Sequence, residues 1–145
     1  MLVKTFGAAV QGIDATPVTI EVNSSRGIRF FLVGLPDSAV RESHERVVSA
    51  LQVIGYPFPV CQLVVNMAPA DIRKEGSAYD LPLAAGILAA TGGIRSDRLP
   101  HLMLTGELGL DGSLQPVRGA LPIALAARRQ GLEGLILPRR NACEA

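Results

Sequence analysis

The stretch from Val64 to Ala90, VVNMAPADIRKEGSAYDLPLAAGILAA, constrains the fold more than any other part of the chain. A β-branched, apolar run over Gln62–Met67 that ends at Pro69 predicts a buried strand. Asp71, Arg73, Lys74 and Glu75 follow within a few residues and resist burial, so Asp71–Gly76 is expected to be a surface loop. Leu81–Ala90 has no polar face, which predicts a central helix covered on several sides. The rest of the chain must pack on this strand–loop–helix unit.

A chain of 145 residues, 48% hydrophobic and 19% charged, is expected to be one domain with a substantial core over residues 1–145. Its net charge of +1 gives no bulk field that would select nucleic acid or a membrane. Two cysteines, Cys61 and Cys143, are too few for a disulfide framework and point to a reducing compartment. Met1–Thr5 lacks an apolar signal run and no stretch approaches a membrane span, so a soluble cytoplasmic domain is the expectation.

In chain order, Val3–Val10 predicts a strand, turned at Gly12 and Asp14 into a second strand over Pro17–Val22. The turn cluster Asn23–Gly27 leads to a third strand over Ile28–Val33, and the three together read as an antiparallel meander. Asp37 is placed to cap a helix that presents Val40, His44, Val47, Val48, Leu51 and Ile54 on one face. Arg41, Glu42, Glu45 and Arg46 fall opposite, and Gly55 stops the helix. His44, on the apolar side, reads as a core or rim histidine. After the central unit, Leu102–Thr105 predicts a short strand and Asp111-Gly112 a tight hairpin. A helix beginning near Pro122 runs to about Gln130, and Gly134–Leu137 forms the last strand. The expected class is α/β (α+β), a mixed sheet packed with helices.

Chemistry-bearing motifs are few. No glycine precedes a lysine, so the chain lacks a Walker A pair and is not expected to bind ATP that way. His44, His101, Cys61 and Cys143 have no metal-ligand spacing, so no metal site is predicted. Ser77, at a helix start, could be a nucleophile, but capping is the favoured reading. Either Ser77 caps the helix in a Ser-Ala-Tyr-Asp box, or Asp80 does, with Pro82 in the first turn. Arg128-Arg129, Arg139-Arg140 and Arg73-Lys74 are short basic pairs of the kind that usually face solvent.

Three segments carry a resemblance. They are Gly34–Ser43 (GLPDSAVRES), Val65–Asp71 (VNMAPAD) and the close pair Lys74–Ser77 (KEGS) and Tyr79–Pro82 (YDLP), continued by Thr105–Gly112 (TGELGLDG). In this order they resemble the N-terminal domain of the Mg-chelatase-like AAA+ ATPases of ComM (YifB) type, over essentially the whole chain. The resemblance implies the fold shared by the Lon proteolytic domain and domain 2 of ribosomal protein S5. It also implies a larger parent in which an ATPase module, with its ATP and Mg2+, lies downstream of residue 145. Such parents form hexameric rings and act as DNA branch-migration helicases in natural transformation. On this view Arg139–Ala145 is an internal boundary, and neither cofactor nor metal belongs to the fragment.

Active Lon-type peptidases use a serine–lysine pair. Laid on their motifs, this chain has Ala78 at the serine position and Leu121 at the lysine position, with Ser77 one residue away. The resemblance therefore implies no catalytic residues here. The favoured expectation is an accessory domain contributing ring assembly or DNA contacts, with Arg73 and Lys74 as the residues that touch DNA or a neighbouring subunit. A Ser-Lys peptidase and a stand-alone nucleic-acid-binding domain are the alternatives.

Overall fold

The computed structural model describes residues 1–145 as a six-stranded mixed sheet with helices on both faces. Strands β1 (Leu2–Gln11) and β2 (Asp14–Ser25) form a long antiparallel hairpin. Next come β3 (Phe30–Val33), the short helix α1 (Ser38–Arg41), α2 (Ser43–Val53) and β4 (Gln62–Ala68). The second half holds α3 (Asp80–Ala90), β5 (Leu102–Leu104), the small hairpin β6–β7 (Glu107–Leu108, Leu114–Gln115), α4 (Ala120–Arg129) and β8 (Gly134–Ile136). The sheet order is β3-β4-β2-β1-β5-β8, and β6–β7 stands apart. The expected α/β class with a mixed, helix-packed sheet is what the chain adopts.

The meander is corrected. β3 does not return onto β2; it pairs in parallel with β4, which itself pairs antiparallel with β2. The physical reason is the α1–α2 segment between β3 and β4. A helical crossover joins parallel neighbours, whereas a tight turn joins antiparallel ones. Leu63, Val65 and Met67 of β4 are fully buried and need strands on both sides, while β3 exposes Phe31 and Val33 and suits an edge. The last units repeat this logic, with β5 and β8 parallel and α4 between them.

Seventeen buried residues form the main core, where α2 and α3 pack on β1, β2 and β4. A smaller cluster on the other face seats Ile123, Ala126 and Ala127 of α4 on Ala8, Ala15 and Met103. Helix α3 is central as expected: seven of its eleven residues are buried, including Leu83 and Ile87, though Leu88 is only half-buried. Pro82 falls in its first turn, where the missing N–H has no intrahelical partner to lose. His44 is a rim histidine, its ring 4.4 Å from that of Phe30 and 5.4 Å from that of Phe58. No helix is long and apolar enough to cross a membrane.

Candidate functional site

The first resemblance segment is bolted to the central loop. After β3, Gly34 passes so near β4 that a Cβ there would lie 2.3 Å from the Met67 carbonyl oxygen, at a φ of +106°. No other residue fits that approach. The Leu35 carbonyl accepts from the Lys74 amide, and the Lys74 carbonyl accepts from the Asp37 amide, each at 3.0 Å. The Asp37 carboxylate then serves both partners, taking the Val40 amide at 2.7 Å and the Gly76 amide at 3.1 Å. Asp37 is the expected helix cap, and it also pins the loop that precedes α3.

Lys74 overturns part of the surface-loop reading. Asp71, Arg73 and Glu75 are exposed, but Lys74 has no exposed surface. Its ammonium donates to the Gly34 carbonyl at 2.7 Å and to the Pro69 carbonyl. In this conformation Lys74 offers nothing to DNA or to a neighbouring subunit, so that half of the expected contact pair is lost. The cause is the pairing of Leu35–Asp37 with Lys74, which turns the side chain inward and gives it two carbonyls in place of water. Burial lowers the Lys74 pKa, and the charge of Asp71 offsets this only in part. Arg73 stays outside, 3.3 Å from Glu75, with both side chains about two-thirds exposed.

Both capping readings at α3 are also corrected. Tyr79 occupies the N-cap position and makes no side-chain cap. Asp80 points inward, fully buried, and accepts from the Ser43 hydroxyl at 2.5 Å, from Arg46 Nε at 2.6 Å and from the Leu108 amide at 3.0 Å. Arg46, expected on the solvent side of α2, instead reaches across to this carboxylate, whose hydrogen bond raises its already high pKa against the opposing effect of burial. One ion pair thus joins α2, α3 and the β6–β7 hairpin.

Ser77 faces an open groove of about 740 Å3. One wall is β1 at Ala8 and Val10; the floor includes Gly76, Ser77 and Glu107; the far wall is Pro116–Gly119. The Ser77 hydroxyl donates to Glu107 Oε1. Asn141 closes the far wall by bonding both backbone groups of Val117 at 2.9 Å. No cluster of three or more histidines, cysteines or acids is placed to hold a metal.

A family model described as subunit ChlI of Mg-chelatase matches residues 20–141. The chain belongs to the ChlI family. It is 43% identical over 145 residues to the competence protein ComM of Haemophilus influenzae, covering 99% of this chain and 28% of that protein. It is 42% identical over 137 residues to the uncharacterised protein YifB of Escherichia coli, covering 94% of this chain and 27% of that one. A weaker likeness, 30% over 104 residues, reaches Lon protease 2 of Bacillus subtilis, with 72% of this chain and 18% of the protease covered. The chain therefore spans little more than a quarter of the ChlI-type relatives it matches.

Within this family member, the position laid on the Lon serine, Ala78, does line the groove, whereas Leu121 is half-exposed at the start of α4. Sequence reasoning missed Glu107 as the partner of Ser77, and the Arg46–Asp80 pair. Nothing local announces either, because each joins residues some thirty positions apart. The only available signal was an aspartate inside the apolar start of α3, which burial would force to find a cation.

Proposed function

We propose that this chain is a non-catalytic accessory domain of a larger ComM-type ATPase, contributing subunit or DNA contacts. In this reading ATP and Mg2+ belong to a separate module of the parent, and the parent acts on branched DNA during natural transformation, as a hexameric ring in the cytoplasm. The observation that carries it is the fate of Lys74. This is the lysine nearest Ser77 in sequence, and its ammonium is committed to the Gly34 and Pro69 carbonyls. It does not line the groove. Ser77 is left without the lysine base a Lon-type mechanism uses. Of the expected contact residues, Arg73 remains for an outside partner, on a loop whose shape is fixed by Asp37 and Lys74.

The peptidase reading keeps one observation in its favour, the hydrogen bond from Ser77 to the Glu107 carboxylate. A fluorogenic-peptide assay on the purified chain separates the two. No turnover is expected. Turnover abolished by Ser77→Ala would make Ser77 a nucleophile and end the accessory reading. Calorimetric titration with ATP and Mg2+ is expected to show no saturable heat, since the chain has no Gly-Lys phosphate loop.

A further inference from the structure

The hairpin register exposes one edge of β1 inside the groove. Gln11 and Asp14 flank the two-residue turn Gly12-Ile13, with Gly12 at a φ of +61°, as the first position of a type II′ turn requires. The residues flanking such a turn bond to each other, and the bonding direction alternates along the strand. Gln11 and Ala9 therefore direct their N–H and C=O groups at β2. Ala8 and Val10 direct theirs at the opposite edge.

On that edge β5 pairs with β1 at Phe6 alone, because β5 ends at Leu104. Beyond Phe6 no strand accompanies β1, and the residues that line the groove there are Ala8 and Val10. A bare strand edge is a template for a further strand. The groove is also acidic: Asp37, Glu75 and Glu107 line it, against Arg118 as the one cation.

We propose that the groove binds an extended, basic polypeptide segment, added as a strand to the Ala8–Val10 edge of β1. The Val10 N–H and C=O supply main-chain bonds, and Glu75 and Glu107 attract its lysines or arginines. Ser77 and its bond to Glu107 then belong to the lining of a binding site. The inference rests on the reading of this domain as non-catalytic, and the test keeps the two apart.

The probe is an acetylated, amidated hexapeptide alternating valine and lysine, titrated into the 145-residue chain and followed by NMR. Saturable shifts at Val10 and Glu107 are expected, together with slowed hydrogen exchange of the Val10 amide. Val10→Pro removes the outward donor from an edge where proline is tolerated, and is expected to weaken binding about tenfold or more. If Val10→Pro fails to fold by circular dichroism, the Val10 amide exchange in the parent decides alone. A peptide with glutamate in place of lysine is expected not to bind. The proposal is overturned by the absence of saturable binding, by an unprotected Val10 amide, by a folded Val10→Pro that binds normally, or by equal binding of the acidic peptide. Mass spectrometry of the recovered peptide isolates the other premise: intact peptide supports a binding site, and Ser77-dependent cleavage overturns the non-catalytic reading instead.

Discussion

Asp80 and Lys74 lie six positions apart, both without exposed surface, and the protein treats them in opposite ways. Asp80 has a full counter-ion: Arg46 Nε at 2.6 Å and a second guanidinium nitrogen at 3.0 Å, with the Ser43 hydroxyl and Leu108 amide completing its shell. Lys74 has two backbone carbonyls and no carboxylate within ion-pair distance. The first arrangement holds a charge in the interior by neutralising it. The second uses a lysine as a long donor that fastens two loops, and burial shifts its equilibrium toward the neutral amine. A buried charge with a partner is a joint between elements; one without a partner is a titratable latch.

The largest expected effect is at the joint. Asp80→Ala strands the Arg46 guanidinium, the Ser43 hydroxyl and the Leu108 amide at once. Breaking a buried pair from one side costs about 3–5 kcal/mol, and urea unfolding is expected to show a loss in that range. Lys74→Met comes next. It keeps the length of the side chain but leaves the Gly34 and Pro69 carbonyls short of a donor, a loss of about 1–3 kcal/mol by the same measurement. If Lys74→Met costs as much as Asp80→Ala, the contrast between paired and unpaired burial fails.

The latch also has a pH signature. With its folded-state pKa lowered below the ordinary 10.5, Lys74 sheds its proton in the folded protein before it does in the unfolded chain. Between those two values the unfolded state holds more protons, so stability rises with pH and levels off above about 10.5. Tyr79 runs the other way. Burial raises its pKa above the ordinary 10.0, so above that pH the unfolded chain ionises first and stability falls. Unfolding midpoints across the alkaline range are expected to climb and then drop. Lys74→Met is expected to remove the climb, and Tyr79→Phe the drop.

These contrasts mark what the sequence could and could not say. The α3 core, the Asp37 cap and the helix stops near Gly55 and Gly131 were legible because each depends on residues within a turn or two of chain. The parallel placement of β3 was also written there, in the helix between β3 and β4, but the polar turn at Asn23–Gly27 argued locally for a hairpin. Lys74 misled for a different reason. Charge density predicts exposure on average, and only the pairing of Leu35, Pro36 and Asp37 with Lys74 shows which charge turns in. Ser77 misled in the same manner: its spacing fits a capping box, yet its hydroxyl bonds to Glu107, thirty residues on.

At the groove, in contrast to the joint, substitutions are expected to be mild. Ser77→Ala removes one hydrogen bond at a half-buried site facing solvent, and its cost is expected to stay near 1 kcal/mol. A loss above about 3 kcal/mol would mean that the Ser77–Glu107 bond is part of the scaffold.

The smallest effect on stability is expected at Arg73, and there the comparison is sharpest, since Arg73 adjoins the buried Lys74. Its guanidinium sits 3.3 Å from Glu75 with both side chains about two-thirds exposed. Pairs so open to water contribute little, so Arg73→Ala is expected to change unfolding free energy by no more than about 0.5 kcal/mol. Any larger consequence must then come from an outside partner. If that partner is DNA, the full-length parent carrying Arg73→Ala should bind more weakly. Its plot of log affinity against log salt should also flatten by about one unit, because one fewer phosphate contact releases counter-ions. If the partner is a neighbouring subunit, sedimentation should show altered assembly while the salt slope stays put. Unchanged stability, assembly and DNA affinity together would reduce Arg73 to a solvated side chain, in contrast to its neighbour Lys74, whose work lies inside the fold.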